Sequence, residues 1–291
     1  MKLTSHAGGA LALWTTSLPD EAVGLAWLGQ AGFALRYAGC RLLIDPYLSD
    51  FLAEKYRGQE FSYARTGPPP ILPAQARHLD WVLCSHRHSD HLDPGSLPVL
   101  SAHNPRCRFM VPSAVREAAL TAGLPRDHIV GVNAGNTVPL SDGLTAQVIA
   151  SAHESLQVNA QGEHHFLGFI LKTRHLTVYH CGDCVPYDGL AAELCRHQVD
   201  LALLPVNGRD ARRARRGVPG NMTFDEALEL CRQAGIPRLI PHHFGMFSFN
   251  TVDPAELQRQ AGRGDLGVLC SMPAPDRHFL LGTDSREPAP L

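Results

Sequence analysis

No apolar run in this chain approaches the roughly 20 residues that a membrane-spanning helix requires, so no span is expected. Charge of one sign is missing too. A formal net charge of −2 gives no global bias toward nucleic acid or anionic membrane, and no block of like charge is long enough to act as a tail. The opening residues 1–6 lead into an Ala/Gly/Leu stretch too brief and too weakly apolar for a secretory signal, which makes a cytoplasmic protein the expectation. Cysteine is scattered. The thiols of Cys40, Cys84, Cys107, Cys181, Cys184, Cys195, Cys231 and Cys270 fall mostly inside apolar runs, the pattern of buried free thiols and not of a disulfide framework. Cys181 and Cys184 have redox or zinc-ribbon spacing, but no second pair completes four thiolates. Repeats and an interdomain linker are absent. One domain over 1–291 is therefore expected, with a frayed Pro-rich tail from Ser285.

Histidine is what the chain has in excess, with 16, and they are unevenly placed. His86, His88 and His91 fall with Asp90 in a single run of six residues, directly after the apolar segment 79–85. In an extended segment residues i and i+2 point the same way, so His86 and His88 can share one cation. Asp90 and His91 lie on the turn that follows and can reach a second. Neutral imidazole and carboxylate suit Zn²⁺, Mn²⁺ and Fe²⁺.

A meander opens the chain. Residues 24–28, 33–37 and 41–46 read as strands separated by the Gly29–Gly32 and Ala38-Gly39 turns. Residues 50–78 are irregular, and Pro68-Pro69-Pro70 marks a loop able to lie over a site. Helices are expected over 94–103, over 114–122 with Ser113 as cap, over 189–196, from Thr223 with a capping box to Glu226, and from Asp253-Pro254. Strands are expected over 108–111, 145–150, 166–173, 176–180, 199–204 and 238–241. A meander followed by alternating strands and helices favours an α/β fold of two sheets, or one large mixed sheet, with helices outside.

Six contiguous residues cannot supply all the ligands of a two-cation site. Three more ligand-type residues follow apolar strands: His153, Asp183 and His243. Singly, each has a plain structural explanation. Together, at strand ends, they form a constellation, and a carboxylate such as Asp183 can bridge two cations. His164, His165 and His180 lack that context and are expected to be structural or exposed. Asp45 is either a turn residue before Pro46 or an acceptor that orients a ligand histidine.

His86-x-His88-x-Asp90-His91, then His153, Asp183 and His243, resembles the metallo-β-lactamase superfamily in order and spacing. The segments from Trp27 to Phe33, Ile44 to Tyr47, Tyr179 to Asp183, Asn207 to Arg209, Gly220 to Met222 and Ile240 to His243 resemble its L-ascorbate-6-phosphate lactonase branch. The Trp27-Leu28-Gly29 region is also similar to N-acyl-phosphatidylethanolamine phospholipase. The resemblance covers roughly residues 20 to 260. It implies an αβ/βα four-layer sandwich of two mixed β-sheets flanked by helices. It also implies that His86, His88 and His153 hold one divalent ion and that Asp90, His91 and His243 hold a second. Asp183 would bridge them. The branch suggests manganese and the wider superfamily zinc, while iron also suits the donors. Of the adjacent pair, His243 matches the pattern Pro-x-His-aromatic, and the role of His242 is left open.

Such a cation pair brings the pKa of water toward neutrality and supplies hydroxide as nucleophile, with Asp90 placed to accept its proton. The expected activity is hydrolysis of a small anionic lactone or ester, with a phosphodiesterase as the alternative and nucleic-acid processing or metal or redox sensing further behind. Arg209, in a run with Arg212, Arg213, Arg215 and Arg216, is either a solvated loop or an anion clamp. Asn207 and Asn221, with His242, are further candidates for the substrate rim. A small molecule is the expected partner, with neither nucleic acid nor membrane, and a homo-oligomer is possible.

Overall fold

The computed structural model describes residues 1–19 and 21–282, so the tail from Ser285 lies outside the described residues. Seven strands lead through the first sheet: β1 (Lys2–Ala7), β2 (Val23–Gly29), β3 (Gly32–Tyr37), β4 (Cys40–Ile44), β5 (Trp81–Leu83), β6 (Arg108–Pro112) and β7 (Ile129–Val132). The second sheet follows with β8 (Thr137–Ser141), β9 (Leu144–Ala150), β10 (Leu167–Lys172), β11 (Thr177–His180), β12 (Leu201–Pro205), β13 (Arg238–His242) and β14 (Leu269–Cys270). The last strand, β15 (Arg277–Gly282), returns to the first sheet and inserts between β1 and β2. The orders are β1-β15-β2-β3-β4-β5-β6-β7 and β14-β13-β12-β11-β10-β9-β8. In each sheet an antiparallel meander gives way to parallel strands, β4 to β7 in the first and β11 to β14 in the second.

The helices are α1 (Gly9–Thr15), α2 (Phe51–Lys55), α3 (Leu97–His103), α4 (Arg116–Thr121), α5 (Leu190–His197), α6 (Ala211–Ala214), α7 (Phe224–Ala234) and α8 (Pro254–Ala261). Strand pleating explains how they cover the sheets. Successive side chains alternate between faces. Leu25, Leu35 and Leu42 sit in register across β2, β3 and β4 and pack against the second sheet. Ala26, Ala34 and Leu43 face the other way, with Leu13 and Trp14 of α1 and Leu97 and Leu100 of α3. Both faces are therefore buried, which is why β2 reads as a continuous apolar run and not as an alternation. On the far side α5 and α7 cover the second sheet and complete the four layers αβ/βα. No helix among the described residues is long and apolar enough to cross a membrane.

Local signals explain several boundaries. Thr223 caps α7 in a reciprocal box with Glu226, and Gly235 ends that helix in a left-handed conformation at φ 68°. Asp253 caps α8, with Pro254 at its first position. The helix expected over 114–122 is shorter. Ser113 does not cap it but enters a 3₁₀ turn, Ser113–Val115, beside Gly131, and α4 starts only at Arg116.

Candidate metal centre

The carboxyl ends of the parallel strands of both sheets meet along one edge, where α/β folds commonly place their sites. Asp45 follows β4 and His86 follows β5 after Cys84 and Ser85. His153, Asp183, Asn207 and His243 follow β9, β11, β12 and β13. Past Ser85 the chain turns: the His88 carbonyl accepts from the His91 and Leu92 amides at 2.9 and 2.8 Å. That turn carries Asp90 and His91 back toward the second sheet.

All seven expected ligands come together, in two groups. Ligand atoms of His86, His88, His153 and Asp183 lie within 4.8 Å of one another, and so do those of Asp90, His91 and His243. Asp183 lies against both groups. Its Oδ1 is 3.3 Å from His91 Nε2 and 3.2 Å from His243 Nε2, and its Oδ2 is 3.5 Å from His153 Nε2. His91 and His243 each approach Asp90 Oδ2 at 3.8 Å. His88, Asp90, His153, Asp183 and His243 line a cleft of about 360 Å³, and His86 and His91 are buried behind them.

Asp45 is both a turn residue and an acceptor. Its backbone is left-handed at φ 46°, and its carboxylate accepts from the Ser85 amide at 2.7 Å, Ser85 Oγ at 2.6 Å and His91 Nδ1 at 2.7 Å. The single Ser85 hydroxyl proton goes to Asp45, so His86 Nδ1, 2.9 Å from Ser85 Oγ, carries the hydrogen there. Both histidines therefore aim Nε2 into the cluster. Gln30 braces the other side. Its Nε2 donates to Asp90 Oδ2 at 2.9 Å and lies 3.2 Å from His243 Nε2, while its carbonyl accepts from the His243 amide at 2.8 Å. Gln30 and His243 are also left-handed, at φ 49° and 62°, a conformation that costs free energy in a non-glycine residue. Gly182 permits the close approach of Asp183, because a Cβ there would lie 2.5 Å from Ser85 Cβ.

Burial keeps the three histidines of the first group neutral. It pushes His86 and His88 below the ordinary imidazole range and His153 down to about 4, so all three present lone pairs at neutral pH. Burial pushes on His91 in the same direction, but Asp183, Asp45 and Asp90 outweigh it and hold that ring well above its ordinary value. Burial would raise Asp183, yet His243 and His91 hold it well below the carboxylate range.

The remaining candidates are placed elsewhere. His242 ends β13 and turns away from the cleft, stacked on His180 at 5.0 Å and edge-on to Phe33. His180 is wholly buried and bonded to the Ala31 carbonyl at 2.8 Å, and His164 pairs with Asn133. Arg209 does not line the cleft, since Glu226 takes its guanidinium at 2.5 and 2.7 Å. Asn207 and Asn221 lie behind the rim, buried and bonded to each other. Cys181 and Cys184 are free and buried. The cleft also exposes residues that the sequence alone did not single out: Lys55 at the end of α2, Tyr56 and Tyr63 from the loop after it, Arg87, and Asn250. Only the proline-marked irregularity of residues 50–78 hinted at that wall.

The donor set fits divalent cations. His91 Nε2 and Asp183 Oδ1 are buried at the centre without a hydrogen-bond partner, and ring nitrogens of His86 and His88 face each other at 2.9 Å. Buried polar atoms left in this way are costly unless an ion or water satisfies them.

A match to the Beta-lactamase superfamily domain spans residues 40–244. The chain is 28% identical over 255 residues to a UPF0173 metal-dependent hydrolase of Aeropyrum pernix, covering 81% of this chain and 88% of that protein. Another UPF0173 metal-dependent hydrolase, from Myxococcus xanthus, is 27% identical over 77% of this chain and 71% of its own length. Among solved structures, an isothiocyanate hydrolase from Delia radicum gut bacteria superposes with a TM-score of 0.69 at 19% identity, over 88% of this chain and 98% of that one. A metallo hydrolase from Ignicoccus hospitalis gives 0.66 at 18% identity, over 90% and 99%. These two structures speak to the fold alone.

Proposed function

This chain belongs to the beta-lactamase superfamily and is a metal-dependent hydrolase, and from that premise we propose that it opens a small anionic lactone or ester. One observation carries the proposal. Seven ligand-type side chains meet in two groups, and the cleft that five of them line holds no carboxylate besides Asp90 and Asp183, among the described residues. Divalent ions held by the two groups, with zinc, manganese and iron all suited to the donors, would bring the pKa of water toward neutrality and polarise the oxygen of the bond attacked.

The protein's own groups set the rest. Gln30 fixes Asp90 through Oδ2, and no protein donor among the described residues reaches Oδ1. That oxygen is left to take the proton of the attacking water, the task of a general base. Lys55 and Arg87 are exposed at the cleft without a carboxylate partner among the described residues, and they favour a substrate with negative charge. The arginine run after β12 is largely spent within the protein: Arg209 pairs with Glu226, Arg213 with Asp210, and Arg212 and Arg216 with Glu60. Of the two readings of the arginine run, this pairing favours a surface loop, and Lys55 and Arg87 are the better candidates for reading an anion. The same two cations suit a phosphodiester, which is the second reading.

Elemental analysis of the purified protein comes first. Turnover of a sugar-phosphate lactone, a neutral lactone, bis(4-nitrophenyl) phosphate and allyl isothiocyanate, with each metal, comes next. The lactone reading expects the anionic lactone to lead. Faster turnover of the phosphodiester selects the second reading, and a metal-free protein inert to all four sinks both. Asp90→Ala is expected to weaken metal binding in the group it shares with His91 and His243 and, at saturating metal, to lose roughly 10²- to 10⁴-fold in turnover, the worth of a general base. Unimpaired hydrolysis would remove Asp90 from that role.

A further inference from the structure

Asn250 lines the cleft, and its amide is locked from behind. The lock starts at Arg213, whose side chain is unusually well buried for an arginine, with 7% of the residue exposed. Arg213 Nε donates to Asp210 Oδ2 at 2.5 Å, Nη2 to the Asn207 carbonyl at 3.1 Å, and Nη1 to Asn250 Oδ1 at 2.5 Å. A guanidinium carries donors only, so the Asn250 atom facing it must be oxygen. Asn207 Nδ2 donates to the same oxygen at 2.7 Å, and Asn207 Oδ1 accepts from Asn221 Nδ2 at 3.1 Å. Each amide in the row is thus oriented by its neighbour.

Two donors occupy Asn250 Oδ1, so Nδ2 points the other way. No acceptor among the described residues takes its hydrogens, and it is not among the buried atoms without a partner. Asn250 lines the cleft shared with His88, Asp183 and His243, and Nδ2 is the side-chain polar atom left to face it.

We propose that Asn250 Nδ2 donates a hydrogen bond to an oxygen of the substrate, and that Arg213 is the positioning residue that aims it. The group recognised is an acceptor, such as a carboxylate, phosphoryl or carbonyl oxygen. The proposal rests on the hydrolase reading above for its kinetic arm only.

Asn250→Asp keeps an acceptor for Arg213 and Asn207 and turns the donor facing the cleft into an oxygen. The melting temperature should hold, while KM for bis(4-nitrophenyl) phosphate rises roughly 10- to 100-fold, the worth of one hydrogen bond to a charged group. A KM within twofold of the wild type overturns the proposal. Arg213→Met should raise KM too, and the double variant should be no worse than Asn250→Asp alone. Additive losses in KM would mean that Arg213 acts independently of Asn250 and would overturn its positioning role. An arm independent of turnover titrates inorganic phosphate into zinc-loaded, ¹⁵N-labelled protein. The side-chain amide pair that vanishes in Asn250→Asp should shift and saturate, and an unmoved pair overturns the proposal. If the wild type hydrolyses no compound, the hydrolase reading fails by itself and the phosphate titration still decides this one.

Discussion

The two halves of the ligand cluster reach similar positions by different means. His86, His88 and His153 are set by packing. His86 and His153 lie 5.2 and 5.3 Å from the Phe166 ring, His86 has only a neutral hydroxyl behind it, and His153 Nδ1 is buried without a partner. Asp90, His91 and His243 are set by hydrogen bonds. A carboxylate stands behind His91, an amide behind Asp90, and the Gln30 carbonyl behind the His243 backbone. Burial leaves the first three rings neutral, whereas surrounding acids favour a proton on His91. The first half can accept a cation directly, whereas in the second His91 must give up a proton to do so. The lesson is that equivalent residue types at one sheet edge need not form equivalent sites.

Asp183 belongs to neither half alone, and its loss should have the largest effect. Asp183→Ala removes the neighbour of His153, His91 and His243 at once. Bound metal should fall in both halves, and turnover should drop well beyond the ~10- to 100-fold that loss of an outer-shell partner costs. Elemental analysis beside the kinetics checks this. A variant that keeps one full equivalent would show that the halves do not share this carboxylate.

Asp45→Ala should separate the halves. The variant takes the carboxylate from His91 directly and reaches His86 only through Ser85. Metal affinity should fall roughly 10- to 100-fold for one equivalent and much less for the other, read by chelator competition. Ser85→Ala should show a smaller loss, on the histidine half. Equal losses in both equivalents would erase the distinction between the halves.

The ligands were legible because few residue types bind metal and because strand ends after apolar runs are local features. The braces were harder to see. Gln30 sits in a Gly-Gln-Ala-Gly stretch that reads as a turn, and it is one; its second task joins Asp90 and His243, 60 and 213 residues away. No local pattern reports such a contact. Asp45 could be narrowed to two roles, and the left-handed backbone lets it fill both. In the fold, the buried strands declared themselves by apolar runs. β1 did not, since Lys2, Thr4, Ser5 and His6 make a polar edge whose partner β15 lies at the opposite end of the chain. The arginine run was open between two readings for a related reason. Sequence shows five cations together, but the acids of Arg209, Arg212 and Arg216, Glu226 and Glu60, come from other segments, and only Arg213 pairs locally, with Asp210.

Acid should pull the halves apart in metal-free protein. His153 in the folded state is depressed to about 4 from the ordinary 6.5, so the unfolded chain binds more protons in between. Its contribution to stability is full above pH 6.5 and is lost as pH falls toward 4. His91 is shifted the other way, so its contribution is present below its ordinary value and is lost as pH rises through its raised folded value. Urea midpoints measured in chelator should show His153→Gln flattening the acid limb and His91→Gln flattening the alkaline limb. Two variants that act on the same limb would contradict the contrast.

The smallest effect is expected at His242, next in sequence to a cluster member. A strand alternates its side chains, so adjacent histidines leave β13 in opposite directions, and the left-handed backbone at His243 completes that divergence. His242 faces the space between the sheets, stacked on His180 and edge-on to Phe33, with both ring nitrogens buried and unpartnered. Burial holds it, with help from His180, well below the ordinary imidazole range, so it contributes bulk there and no charge. A phenyl ring supplies the same stacking surface without two buried nitrogens that cost about 1–3 kcal/mol each when unpaired. His242→Phe should therefore leave metal content and turnover within about twofold and hold or raise the melting temperature, part of the gain being offset by the slightly larger ring. Loss of a metal equivalent in this variant, with His243→Phe retaining both, would exchange the roles of the two histidines.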